Sequence, residues 1–106
     1  MTTASENGVY IVQIRKGVLH DEAEMLLFYA EIDRLLEDQP VQELVLDFGQ
    51  VSSTGSVGLS MLVRLNAKCE MCKCRLALCG IGPTVLEVLK ITNLNQMFRI
   101  RENAAD

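Results

Sequence analysis

The sequence predicts an α/β domain, a mixed and mostly parallel β-sheet of about four to five strands with about three helices packed on one side. Three observations carry that prediction. Short runs of branched hydrophobes recur at Val9–Ile14, Glu43–Phe48 and Arg75–Cys79, and each is followed by a segment whose apolar residues return at helical spacing. The run Glu43-Leu44-Val45-Leu46-Asp47-Phe48 is too continuously apolar to have a solvent face, as in a strand covered on both sides. After it, Gly49-Gln50-Val51-Ser52-Ser53-Thr54-Gly55-Ser56-Val57-Gly58 is turn chemistry that hands the chain to a helix. The expected order is β, β, α, β, α, β, α, β, with parallel later strands joined by right-handed crossovers and an opening hairpin as antiparallel edge.

Taken in order, residues 1–8 are polar and are expected to form a flexible N-terminus. Val9-Tyr10-Ile11-Val12-Gln13-Ile14 is rich in β-branched and aromatic residues and reads as a strand; Arg15-Lys16-Gly17 then turns into a short Val18-Leu19 extension expected to pair back. Asp21 and Glu24 have the spacing of a capping box and open the first helix. Its stripe is Met25, Phe28, Ile32, Leu35 and Leu36, and Pro40 stops it. Leu26, Leu27, Tyr29 and Ala30 fall outside that stripe, which means either a wide buried face or a surface for another protein. The second helix is expected from Ser56 to about Cys72. Its inward face is read as Leu59, Leu62, Val63, Asn66 and Cys69, and its outward face as Val57, Met61, Arg64 and Lys68, either ordinary surface or a docking stripe. Arg75-Leu76-Ala77-Leu78-Cys79 is the next strand, and Pro83 suits the first turn of a third helix holding Val85, Leu86, Val88, Leu89 and Ile91. Asn93-Leu94-Asn95-Gln96 breaks that helix, Met97-Phe98-Arg99-Ile100 reads as an edge strand, and residues 101–106 form a polar tail.

At 106 residues with 49% hydrophobic content, the chain is expected to be a single domain spanning 1–106 that needs neither disulfide nor metal to build its core. A net charge of −4 with ten scattered cations argues against a nucleic-acid or anionic-membrane surface. No apolar run approaches the roughly 20 residues of a membrane span, and the first residues lack a signal pattern, so a cytoplasmic protein is expected.

Cys69, Cys72, Cys74 and Cys79 straddle the end of one helix and the start of a strand, and four thiolates converging there would distort both. They are read as small buried fillers, with no metal and no cofactor. Catalysis has little behind it. His20 stands alone before a helix cap, and Glu31, Asp33, Glu37 and Asp38 read as a solvated face. The Gly49–Gly58 loop fails as a phosphate cradle for nucleotides, because five residues separate Gly49 from Gly55 and no lysine follows. A regulated serine suits it better. A phosphate on Ser56 would be tolerated beside the N–H groups of a helix start, yet would place a dianion in any interface docked there. The plainer reading of Ser56 is a helix N-cap.

The strand Leu44–Phe48, Val51, Gly58-Leu59, the strand end Leu78-Cys79-Gly80-Ile81, and Val85-Leu86-Glu87-Val88-Leu89-Lys90-Ile91-Thr92-Asn93-Leu94-Asn95-Gln96-Met97-Phe98 together resemble the STAS domain family. The resemblance is to its small stand-alone anti-sigma factor antagonists of bacteria and covers nearly the whole chain. It implies a non-enzymatic switch. An unmodified antagonist binds an anti-sigma factor that is also a serine kinase, the kinase phosphorylates it and ends the contact, and a phosphatase restores it. The family loop reads Asp-Ser-Ser-Gly with its first serine modified; here Gly55, Ser56, Val57 and Gly58 occupy those places. Ser56 is thus the expected phosphorylation site, without its Asp. The partner-binding surface is expected to comprise Ser53, Thr54, Gly55, Ser56, Val57, Ser60, Met61 and Arg64, with weak homodimerisation as a further contact. The alternative is a constitutive scaffold subunit of a stress-signalling or lipid-transport assembly, in which Ser56 only caps.

Overall fold

The computed structural model describes residues 2–101. Asn7 and Gly8 stand at φ 55° and 82°, the left-handed pair that a two-residue hairpin turn requires. The turn folds β1 (Thr2–Glu6) back on β2 (Val9–Gln13) as an antiparallel pair, with Glu6 opposite Val9. Residues 2–6, expected to be part of a flexible N-terminus, are therefore the antiparallel edge strand. The expected Val18-Leu19 extension is corrected too. With one edge of β2 already paired, Gly17 at φ 86° starts a 3-10 helix over Val18–His20 that buries Val18 and Leu19.

The other strands, β3 (Glu43–Asp47), β4 (Arg75–Cys79) and β5 (Arg99–Arg101), follow in sheet order β1-β2-β3-β4-β5, and every pair from β2 onward is parallel. Alternation sorts the side chains. Tyr10, Val12, Leu44, Leu46, Leu76 and Leu78 face the main core, while Val9, Ile11, Val45, Ala77 and Cys79 form a small cluster on the opposite face. The helices α1 (Glu22–Asp38), α2 (Ser56–Met71) and α3 (Pro83–Ile91) all deliver their buried residues to the first face. Leu44, Leu46, Leu62, Leu65, Leu78 and Leu89 are wholly buried, each stabilising the fold by about 1.5–3 kcal/mol.

Local chemistry sets the helix ends. Asp21 Oδ1 accepts the Glu24 N–H at 3.1 Å at the start of α1, α1 stops short of Pro40, and Pro83 opens α3. The buried stripe of α1 is Met25, Phe28, Ile32 and Leu36. Leu26 and Leu27 are each 65% exposed, which removes the wide-buried-face reading. On α2 the phase differs from the expected one, because the buried residues are Gly58, Met61, Leu62, Leu65 and Cys69 while Val63 lies outward. Gly58 causes this. A Cβ there would stand 2.3 Å from Thr54 Oγ1 and 3.4 Å from Leu19 Cβ, so the one position without a side chain is the one pressed inward. Lys68, expected on an outward stripe, instead crosses to α1 and pairs with Asp33 at 2.8 Å and Glu37 at 3.3 Å. Those two carboxylates, still partly exposed, therefore also form an interhelical clamp. Asn93 at φ 62° turns the chain into a 3-10 helix at Leu94–Gln96, so the last strand begins at Arg99, two residues later than expected. Arg101, expected to open the polar tail, is instead the last residue of β5, because it pairs with Cys79 of β4, and the rest of that tail, 102–106, lies outside the described residues.

Candidate functional site

The loop after β3 is held at several points. Asp47 Oδ1 accepts the Gly49 N–H at 2.8 Å, the Val51 N–H donates to the Phe48 carbonyl at 2.9 Å, and the Lys16 N–H donates to Gln50 Oε1 at 3.2 Å. His20, on the 3-10 helix before α1, places Nε2 at 3.0 Å from the Ser53 carbonyl oxygen and 3.2 Å from Ser53 Oγ. Protonated on Nε2, the ring donates to the carbonyl, which only accepts. This histidine ties the loop to the core side of the sheet. Sequence spacing gave no sign of the tie.

The loop delivers the chain to α2 through Thr54, which is buried, and Gly55, which is extended and caps the helix without a side chain. Ser56 is therefore the first helical residue and not the N-cap that the plainer reading made it. It is exposed. Because Gly55 supplies no oxygen, the first-turn N–H groups beside the Ser56 hydroxyl receive no side-chain cap. Nothing lies within 4 Å of the place where a Gly55 side chain would begin.

From Ser56 onward α2 is a ridge between two grooves. One, about 250 Å³, lies between α1 and α2 and is lined by Glu22, Met25, Leu26, Tyr29, Val57 and Arg64 among others. The other, about 490 Å³, lies on the far side of α2, where Ser56, Leu59, Val63 and Arg64 face Thr92 and Leu94. Ser60 and Arg64 line both grooves, and Val57 is 49% exposed at the crest. Arg64 extends over the Tyr29 ring with 4.8 Å to the centroid, which fixes a cation on an otherwise apolar wall. Of the residues expected to meet a partner, Gly55, Ser56, Val57, Ser60 and Arg64 are exposed together and Ser53 is half-buried. Thr54 and Met61 are buried, so they shape the surface from beneath, Thr54 by fitting against Gly58 and Met61 as groove floor. Leu26 and Tyr29 join the surface from α1. Their place outside the buried stripe is a signal visible in the sequence, but which part of α2 they adjoin depends on helix packing.

The four cysteines do not gather at one point, although Cys69 and Cys74 are neighbours. Cys69 and Cys74 lie in the main core, Cys79 on the opposite sheet face, and Cys72 is exposed. Burial, and then the nearby Asp47 carboxylate, push the Cys79 thiol above its usual value. Among the described residues no three of His, Cys, Asp or Glu come together in a way that could hold a metal ion, and no helix is long and apolar enough to cross a membrane.

A family model described as the STAS domain matches residues 1–106. No curated protein is a significant match. Among solved structures, a Thermotoga maritima protein assigned as an anti-sigma factor antagonist is 19% identical with a TM-score of 0.82, covering 98% of this chain and 87% of its own. A chain from the stressosome, a signal integration and transduction hub, is 20% identical with a TM-score of 0.80, covering 98% and 90%. The Bacillus cell fate determinant SpoIIAA in its phosphorylated form is 17% identical with a TM-score of 0.71, covering 94% and 89%. At such identities these likenesses speak for the fold alone.

Proposed function

This chain belongs to the STAS domain family, and on that premise we propose that it is a bacterial, cytoplasmic anti-sigma factor antagonist. It binds an anti-sigma factor that is also a serine kinase, through the loop and outer ridge of α2, and it is released by phosphorylation of Ser56 and restored by a phosphatase. The observation that carries the reading is the setting of Ser56. Its hydroxyl is exposed at the first position of α2, next to uncapped backbone N–H groups and on the wall of the partly apolar groove that faces Thr92 and Leu94. A phosphate there is stabilised by the helix start and leaves the fold intact. A partner seated on Val57, Ser60 and Arg64 would have to desolvate that dianion, which costs several kcal/mol and ends the contact. That SpoIIAA, a fold neighbour, is known in a phosphorylated form supports the same reading. No enzymatic step is assigned to the chain.

The test is incubation with the cognate kinase and ATP, followed by mass spectrometry of the site. One phosphate is expected on Ser56. Ser56→Asp is expected to weaken the complex by about tenfold or more with an unchanged melting temperature. An unmodified Ser56 in a complex that hydrolyses ATP would overturn the switch.

One observation favours a second reading, a constitutive scaffold subunit of a stress-signalling or lipid-transport assembly. The family's Asp before the acceptor is Gly55 here. The open space at Gly55 and its φ of −102° admit a side chain without strain, so Gly55→Asp separates the two readings. Under the switch reading the restored carboxylate speeds phosphorylation and, as an N-cap, adds a few tenths of a kcal/mol of stability. Under the scaffold reading only the stability gain appears.

A further inference from the structure

The far end of α2 closes in a Schellman cap. Lys73 is left-handed at φ 57°, the Cys74 N–H donates to the Cys69 carbonyl at 2.8 Å, and the Lys73 N–H donates to the Glu70 carbonyl at 3.2 Å. In this cap the residues at the two ends of the longer hydrogen-bonded loop face each other, and they usually make an apolar contact. Here both are cysteines. Cys69 and Cys74 are 1% and 7% exposed, their thiols lie close enough to perturb each other, and the Cys74 thiol donates to the Arg75 carbonyl at 3.4 Å. A backbone hydrogen bond between them sets their Cα atoms roughly 5–6 Å apart, inside the window of about 4.4–6.8 Å for a disulfide.

A second, independent feature is access. Cys74 lines an open cleft of about 550 Å³ between the end of α2 and the approach to β5, shared with Glu70, Arg75, Gln96 and Arg99. The two thiols are also unlike. The neighbouring Cys69 thiol, with the Leu44 N–H and the Arg75 charge, holds Cys74 below the usual thiol value against the opposing pull of its burial and of the Glu43 carboxylate, whereas the Cys74 neighbour and burial keep Cys69 protonated.

We propose that Cys69 and Cys74 are a modification site that forms a disulfide with a hydroperoxide entering through this cleft, and that the exposed Cys72 takes no part. The Cys74 thiolate attacks one peroxide oxygen and the O–O bond breaks, giving a sulfenic acid and a hydroxide that is protonated by solvent. The Cys69 sulfur then attacks the Cys74 sulfur. The S–S bond forms as the S–O bond breaks, and the departing hydroxide leaves as water with the Cys69 proton. Two thiols lose two electrons in total, and hydrogen peroxide becomes two waters. The pair closes at the opposite end of α2 from Ser56, and this inference does not rest on the partner reading.

The reduced full chain is treated with one equivalent of hydrogen peroxide, quenched with an alkylating agent, weighed intact and digested with trypsin, which cuts after Lys68, Lys73 and Arg75. The expected product is lighter by two hydrogens and links peptide 69–73 to dipeptide 74–75. Because Cys72 lies in the first of these peptides, Cys72→Ser decides which sulfur is joined, and this exposed substitution leaves the fold untouched. The link is expected to persist in Cys72→Ser and to vanish in Cys74→Ala, with circular dichroism reporting that the latter is folded. Dependence of the link on Cys72, a chain-to-chain disulfide as the main product, or full alkylation of all four thiols after peroxide would overturn the proposal.

Discussion

Gly58 decides how α2 sits, and through it which residues the partner surface displays. A glycine inside a helix ordinarily costs about 1 kcal/mol relative to alanine, so Gly58→Ala would normally stabilise. Here the added methyl would meet Thr54 Oγ1 at 2.3 Å, and Thr54 is itself buried at the helix entrance. The expected sign is therefore reversed, a loss of about 1–3 kcal/mol from overpacking. Thr54→Ala removes the clashing oxygen, so in that background Gly58→Ala should become neutral or stabilising. Urea unfolding of the four-member cycle measures this, and an equal loss in both backgrounds would mean that the clash lies elsewhere. The same glycine explains what could be read in advance and what could not. Asp21 as a cap, Pro83 as a helix opener and Ser56 at a helix start are local chemistry, legible from neighbouring residues. Met61 and Val63 exchanged faces because helical phase depends on Leu19 and Thr54, which approach Gly58 from other elements.

Between elements, the α1–α2 pair is closed on one side by Lys68 with Asp33 and Glu37. The Asp33 hydrogen bond, joined by Glu37, holds the Lys68 ammonium above the ordinary lysine value of 10.5 in spite of its partial desolvation. A group raised in the folded state contributes fully below its unfolded value, and the contribution fades as pH climbs through the folded one. The stability difference between the wild type and Lys68→Met should accordingly be level through neutral pH and shrink only above about pH 10.5. It should also fall with added salt, since these groups are partly exposed. Unfolding midpoints across an alkaline series test this; a difference already gone at neutral pH would mean that the clamp contributes nothing. The clamp was hidden in the sequence because an acidic helix face looks the same whether or not a neighbouring helix brings it a cation. The strands β2, β3 and β4 were legible because buried parallel strands need continuous apolar runs. β1 was not, since a polar edge strand has no such run, and only the Asn7-Gly8 pair marks it.

At the scale of the molecule, the sheet's parallel edge depends on one buried acid. Glu43 is 2% exposed at the start of β3, yet its partners belong to β5, two strands away. Arg101 Nη2 lies 2.5 Å from Oε1, and Arg99 Nη1 lies 3.5 Å from Oε2. Oε2 has no hydrogen-bond partner, so the carboxylate is matched mainly through Arg101. β5 is only three residues long and pairs with β4 alone, which makes this contact across β4 a large share of what holds it. Glu43→Gln preserves shape and removes the charge, so a loss of about 1–3 kcal/mol is expected, the scale of a hydrogen bond to a charged group. The loss should be local in origin, so amide exchange is expected to quicken at Arg99–Arg101 before it does in β3, the opposite of what a general loosening would give. Arg101→Met in the Glu43→Gln background should then cost less than in the wild type, because its partner is already gone. Additive losses in that cycle, or unchanged exchange in β5, would show that the strand is held by its backbone pairing and that Glu43 is buried for another reason.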